Sequence, residues 1–561
     1  MKYNLSIVGS LALATLLPFG LQAQTAKKDT TVNRTVVVEQ EYNPDIMDAS
    51  KVNVLPKVQE PTVSKKAVEY ATNLFPATSI PAGLMNPYTG IETQPGSKPG
   101  YVRAGYGNYG NLDVLANYLF RLSDKDKLNA RFQMDGMDGK LTLPDMDEKW
   151  KAFYYRTRAN IDYTHQFNQM DLNVGGNFGL SNFNYRPGSL NSKQKFTSGD
   201  IHAGLNFTNE TAPLQFNAET SLLMYGRQHN FPYYENTGLK ETIWRINGNV
   251  SGAINDEQRI YLALTMNNFW YGGDNTIRPD TEEKYFKNYT ALNLNPYYEL
   301  NSDDWKLHAG AHVDLSFGFD KAIRVSPDVT VQYNFSDSYI VYAKALGGKS
   351  INDFRTIEEY NPYIDLPARP YDTYEQLNGS LGFKASPYPG LWFHVFGGYQ
   401  DLKNDLLYSI SRLSFVDEGQ QFLTFDQANS HNVYAGGEIS YDYKDLISLS
   451  ARYTYRGWGA STEYEYLLLT KPESEMNFNI RIHPISALNV NLGYDFIGRK
   501  QEAVSYKMDA VSDLHIGASY NFYKGVSVYA RVNNLLNKKY QYYLGYPTEG
   551  LNFLGGLSFS F

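Results

Sequence analysis

The sequence predicts an all-β protein, a transmembrane antiparallel β-barrel of about 22 strands with a short extended segment before it. Three observations point there. Amphipathic runs with a two-residue period recur through residues 100–561, short polar turns alternate with longer loops, and the chain ends inside such a run on Phe561. In residues 551–561, strand alternation puts Leu551, Phe553, Leu557, Phe559 and Phe561 on one face. Asn552, Gly556, Ser558 and Ser560 fall on the other. One face suits lipid and the other water. A last strand that closes against the first leaves no open edge in hydrocarbon. An ordinary sandwich strand alternates in the same way, so repetition along the chain carries the assignment.

The chain opens with Lys2, runs apolar through residues 5–21 and reaches the small-residue pattern Leu21-Gln22-Ala23. Residues 1–23 therefore read as a secretory signal peptide. With no cysteine in the sequence, a lipoprotein signal, a disulfide and thiolate chemistry are all excluded. No later run approaches 18 apolar residues, so no transmembrane helix is expected. Aromatic residues make up 15% of the chain, with 47 Tyr and 30 Phe, while mean hydropathy stays polar at -0.45. Strands that face water on one side produce this mixture. A net charge of -8 argues against a nucleic-acid partner.

Residues 24–99 differ in texture, because eight prolines between Pro44 and Pro99 interrupt every candidate element. They read as an extended periplasmic or lumenal segment without a core of its own. Inside it, Thr35, Val36, Val37 and Val38 combine high β-propensity with a polar flank. Such a piece suits either a local strand or pairing with the sheet edge of another protein.

From Gly100 onward the strands can be counted. Short polar turns are expected at 123–127, 168–169, 209–212, 255–257, 301–304, 336–337, 387–390, 444–445, 484–487 and 524–525. Longer loops lie between them, as at 136–150, 227–238, 272–284 and 348–373. Short turns on one side and long loops on the other is the asymmetry of an outer-membrane barrel. Ten turns join twenty strands, and a first strand at 101–108 with a last at 551–561 brings the total to 22. The number is even, as closure requires when both ends lie on the same side. A sandwich of so many strands would need several domains and linkers, and no linker is seen after Gly100.

The segment Arg531-Val-Asn-Asn-Leu-Leu-Asn-Lys-Lys-Tyr540, followed by one loop and the strand ending at Phe561, resembles the end of the TonB-dependent receptor family. The resemblance covers residues 100–561. It implies a 22-stranded barrel in the outer membrane of a Gram-negative bacterium, active in uptake of scarce nutrients such as siderophores, cobalamin or glycans. Uptake in the family is driven by an inner-membrane complex through TonB. Family members carry an N-terminal plug longer than residues 24–99, and its glycine-rich pattern is not found there, so a barrel lacking a full plug is expected. Residues Thr35, Val36, Val37 and Val38 loosely resemble a TonB box. The expected partners are outer-membrane lipid, the barrel assembly machinery with Phe559 and Phe561 as assembly signal, and TonB or a surface lipoprotein. The alternative function is a plugless scaffold subunit of a larger outer-membrane assembly.

The chemistry-bearing patterns are sparse. Gly105, Gly107 and Gly110 spell a dinucleotide fingerprint, but a strand follows instead of a helix, so the match is accidental. His308 and His312 share a strand face about 13 Å apart, too far to grip one ion. Asp135, Asp138, Asp145, Asp147 and Glu148 crowd one loop without calcium-binding spacing and read as a solvated acidic loop. No nucleophile with base and orienting partner can be assembled, so no enzyme, catalytic residue, cofactor or metal is predicted. Phe231, Tyr233, Phe269, Trp270, Tyr271 and Trp458 read either as ligand-stacking loop residues or as the upper aromatic girdle. Inward positions mix arginines such as Arg156, Arg245 and Arg452 with acids such as Asp162, Glu438 and Asp495, which predicts a hydrated lumen. A 22-stranded barrel has a backbone radius of about 22 Å. Inward loops, with 348–373 the longest, the N-terminal segment or a partner must narrow it.

Overall fold

The computed structural model describes residues 98–143, 148–209, 212–229, 238–273, 284–336, 338–412, 421–500 and 508–561. The expected signal peptide, residues 24–97 and the candidate Thr35, Val36, Val37 and Val38 lie outside the described residues. Among the described residues no helix is long and apolar enough to cross a membrane.

Every strand of the wall is antiparallel to its neighbours, and together they form one 22-stranded sheet. The sheet closes on itself because the first strand, Gly100–Gly107, pairs with Leu112–Arg121 on one side and with Asn552–Ser560 on the other. At the seam the register runs from Tyr101 opposite Ser560 to Gly107 opposite Leu554. Phe561 completes it: Gly100 N–H donates to the Phe561 carbonyl at 2.9 Å, and Phe561 N–H donates back at 3.0 Å. Closure satisfies every strand edge, which a hydrocarbon surrounding demands.

Each of the ten short turns expected from the sequence meets a strand-to-strand connection. Lys149–Gln166 hands over to Met170–Asn184, for example, and Val511–Tyr523 to Val526–Asn533. The alternation also holds. Phe553, Leu557, Phe559 and Phe561 are 44 to 57% exposed on the outer face, whereas Asn552, Leu554 and Ser558 are buried inside. Gly105 and Gly107 sit at this seam. A Cβ at Gly107 would overlap the Phe553 carbonyl, and one at Gly105 would meet the Tyr529 hydroxyl. Their glycine spacing serves close strand packing, while Tyr529 OH donates to Asp113 and Asp113 pairs with Arg103 at 2.9 Å.

The family-like segment at 531–540 has a geometric reason for its asparagines. Asn534 and Asn537 take left-handed φ values of 49° and 48°, which asparagine tolerates better than most residues. Asn534 side-chain groups bond Lys538 N–H, Lys538 O and Glu549 O, and Asn537 Oδ1 accepts from Leu551 N–H. The asparagines thus bend the chain and aim it into the last strand.

The strands at the long-loop end run further than the sequence suggested. The 136–150 segment, expected as a loop, is largely strand: Asp126–Thr142 runs into it as far as Thr142, and Lys149–Gln166 begins within it. Asp135 is therefore not a solvated loop acid but a buried inward residue paired with Arg156 at 2.7 Å. Leu391–Arg412 and Gln421–Tyr443 hold 22 and 23 residues, about twice what a bilayer crossing needs. The surplus exists because inward side chains there are buried on a core inside the mouth.

Candidate functional site

That core closes the long-loop end of the barrel, and its centre is the connection between strands Tyr339–Ser350 and Thr373–Tyr388. Within it a short helix, α1 (Phe354–Tyr360), lies inside the mouth. Asp353 caps the helix by accepting from Thr356 N–H at 2.8 Å. Phe354 and Ile357 are buried, and the Phe354 ring packs edge-on against Tyr225 and Phe286, with centroids 5.9 and 5.8 Å away. Each buried apolar side chain of this kind contributes roughly 1.5–3 kcal/mol.

Polar groups tie the helix to the wall at several strands. Glu358 accepts from Ser181 and Tyr225 and stands 3.5 Å from Arg158, while Phe354 N–H donates to Glu241 at 2.9 Å. Tyr360 OH donates to the Leu406 carbonyl at 2.8 Å on the far hairpin. Beyond the helix, Ile364 makes an isolated parallel bridge to Leu423, and Tyr363 stacks on Tyr546 with centroids 3.7 Å apart. Tyr546 belongs to a small hairpin, Gln541–Tyr543 with Tyr546–Pro547, that also folds inward. The base of the connection is held by Arg369. Its fully buried guanidinium lies 2.9 Å from Asp372, donates to Tyr289 OH and Asn352 O, and faces the Tyr289 ring at 5.2 Å.

Residues from about half of the wall strands and from the connections between them thus meet in one apolar cluster, including Met137, Phe183, Phe196, Phe269, Tyr408 and Leu469. A cavity of about 30 Å³ remains between Leu141, Trp150, Tyr154, Tyr363, Tyr543 and Tyr546. It has room for a water or two, not for a nutrient-sized ligand. Two of the buried carboxyl groups here hold protons more tightly than usual: Asp365 is pushed up to about 6 by burial, against the opposing pull of Arg227, Asn191 and Tyr185. Glu549, beside the small hairpin, is pushed up to about 8 by burial, with Asn111 donating to it at 2.7 Å.

The aromatic candidates separate by strand parity. Phe269 and Tyr271 point inward from Gln258–Gly273 into the core: Phe269 stacks on Tyr289 at 4.3 Å, and Tyr271 OH donates to Glu241 at 2.8 Å. Trp270, between them, faces outward and is 44% exposed. Trp458 is half-buried on the inner face, where its Nε1–H donates to the Pro472 carbonyl at 2.8 Å and Lys471 sits over its ring. Phe231 and Tyr233 lie outside the described residues. The lid itself was not anticipated residue by residue. The signal that could have found it is the run Tyr360 to Leu366, apolar and aromatic in the longest loop.

Lower in the lumen, His308 and His312 lean toward one carboxylate. Asp328 lies 2.9 Å from His308 Nε2 and 3.6 Å from His312 Nε2, while Glu299 lies 3.3 Å from His308 Nδ1. The strand opposite supplies the acid, which spacing along one strand does not reveal. Among the described residues no group of His, Cys, Asp and Glu is arranged to hold a metal ion.

No family model and no curated protein matches the sequence. Solved structures do match the fold. "Copper transporter OprC" aligns with a TM-score of 0.61 at 12% identity, over 82% of this chain and 80% of its own. The FrpB iron transporter from Neisseria meningitidis, F5-1 variant in its apoprotein form, aligns with a TM-score of 0.64 at 10% identity, over 83% and 81%. The shared fold is a closed antiparallel β-barrel. The siderophore receptor PirA from Pseudomonas aeruginosa has it too, with a TM-score of 0.58 at 14% identity, over 82% of this chain and 80% of its own. At these identities the likeness is one of fold.

Proposed function

We propose that the chain is an outer-membrane receptor-type barrel that takes part in nutrient uptake in a Gram-negative bacterium. The observation that carries this reading is a closed 22-stranded wall shared with solved transporters and a receptor, with an inward lid across its long-loop mouth. Transport or reception, rather than catalysis, is the role those similar proteins support. A lidded mouth suits a path opened only when a ligand or partner engages it, because an open bore of this width would leak solutes.

Within this reading, Thr35, Val36, Val37 and Val38 form a TonB-box-like strand that pairs with the energising partner by edge addition. Phe231, Tyr233 and Trp458 are the stacking candidates that remain, Phe269 and Tyr271 being engaged in the lid core and Trp270 facing outward. Phe559 and Phe561 are the residues read by the barrel assembly machinery. The test is affinity purification of the full chain from detergent-solubilised envelopes. Recovery of TonB or a surface lipoprotein, with TonB lost in a Val36→Pro/Val37→Pro variant, is the expected result. Recovery of assembly machinery alone would overturn the uptake reading.

A further inference from the structure

Six lysines stand on the outer face of the wall at its long-loop end: Lys140, Lys149, Lys151, Lys193, Lys195 and Lys240, all exposed. They belong to four of six consecutive strands, Asp126–Thr142, Lys149–Gln166, Lys193–Phe207 and Leu239–Ala253, with Met170–Asn184 and Leu214–Arg227 interleaved, and the register across all six runs without a bulge. Strand parity places them on the same face as Phe132, Ile161, Ile201 and Trp244, which are 40, 58, 63 and 41% exposed. That face is the one that meets lipid, and the lysines occupy its end beyond the apolar belt.

Their surroundings are short of counter-charge. Lys140 stands directly opposite Lys151 in the strand register, and like charges so placed repel. Among the described residues, the one carboxylate within 4.0 Å of any of the six is Asp138, at 4.0 Å from Lys151. Lys193 lies 5.9 Å over the Phe153 ring, which leaves its ammonium directed along the outer face. Three lysines elsewhere at this end are matched by contrast: Lys403 with Asp401 at 3.0 Å, Lys471 with Asp405 at 2.7 Å and Lys500 with Glu465 at 2.7 Å. A row of unmatched ammonium groups above lipid-facing aromatics is complementary to an anion at the membrane surface.

We propose that this lysine row docks the phosphate groups of an anionic glycolipid headgroup in the leaflet at the long-loop end. The proposal rests on the outer-membrane reading above, since that leaflet supplies the lipid. Lysine binds phosphate as a point charge and needs no fixed fork geometry, so a row spread over several strands suits a headgroup bearing more than one phosphate. The aromatic and aliphatic side chains below the row lie where the acyl chains would run.

The test uses the full-length protein in neutral detergent, titrated with a diphosphorylated glucosamine lipid and followed by native mass spectrometry. The variant K140Q/K151Q/K193Q/K195Q should bind the lipid at least roughly ten-fold more weakly, and the wild-type affinity should fall with salt. The dephosphorylated lipid should bind the wild type no better than the variant does. Unchanged affinity in the variant, equal binding of the dephosphorylated lipid, or full competition by equimolar inorganic phosphate would each overturn the proposal. Heat-shifted migration on a gel checks that the variant is a closed barrel, and if it is not, K140Q/K151Q carries the same comparison. Membrane fractionation, run separately, reads the location, so a failure of the outer-membrane reading is distinguishable from a failure of the lysine site.

Discussion

Glu549 and Asp365 show how single buried carboxyl groups set the conditions under which the lid is firm. Burial raises Glu549 from an ordinary value of 4.5 to about 8, so the folded state keeps a proton that the unfolded chain releases. Its contribution is therefore complete below about 4.5 and is lost as pH rises through about 8. Asp365 does the same over a narrower window, from 3.8 to about 6. Glu549→Gln keeps the hydrogen bond to Asn111 within reach and removes the titration. The temperature at which the heat-resistant gel form disappears should drop between pH 5 and pH 9 in the wild type and drop less in Glu549→Gln. A wild-type profile flat across that range, or an unaltered slope in the variant, would refute the assignment.

At the scale of elements, the last strand and the turn before it do the closing. Replacing Phe559 and Phe561 with Asp should reduce assembled barrel far more than the same change at inward Ser558 and Ser560. Charge on the lipid face costs roughly 2 kcal/mol or more at depth and less near the interface. Equal losses from both faces, read as the heat-shifted fraction, would contradict the register. Asn534→Ala should cost about 1–2 kcal/mol, because it removes three side-chain bonds and strains a left-handed position. An unchanged unfolding midpoint would show that the turn is not positioned by its asparagine. These elements were legible in the sequence because a two-residue period and polar turns are local signals. The aromatics at 269–271 were not separable there. Phe269 and Trp270 are adjacent, yet one is buried in the lid and the other faces lipid, and only knowing that the strand runs to Gly273 assigns them.

For the whole molecule, the strand count and closure follow from alternation repeated along residues 100–561, but the closed mouth does not. It depends on long-range contacts such as Tyr363 with Tyr546 and Glu358 with Tyr225, whose partners are set by the barrel's circumference. The sequence required only that something narrow a bore of about 22 Å radius. The structure assigns that role at the long-loop end to the connection carrying α1, seated by Arg369 and by rings from several strands of the wall. On this arrangement the chain's own lid seals the mouth, whatever residues 24–97 do. The direct measurement is single-channel conductance in a planar bilayer, made on protein lacking residues 26–95 and on the same protein with residues 352–369 replaced by a short glycine-serine linker. The first should stay electrically silent and the second should conduct. Steady conductance in the first, or silence in the second while it still migrates as a closed barrel, would contradict the account.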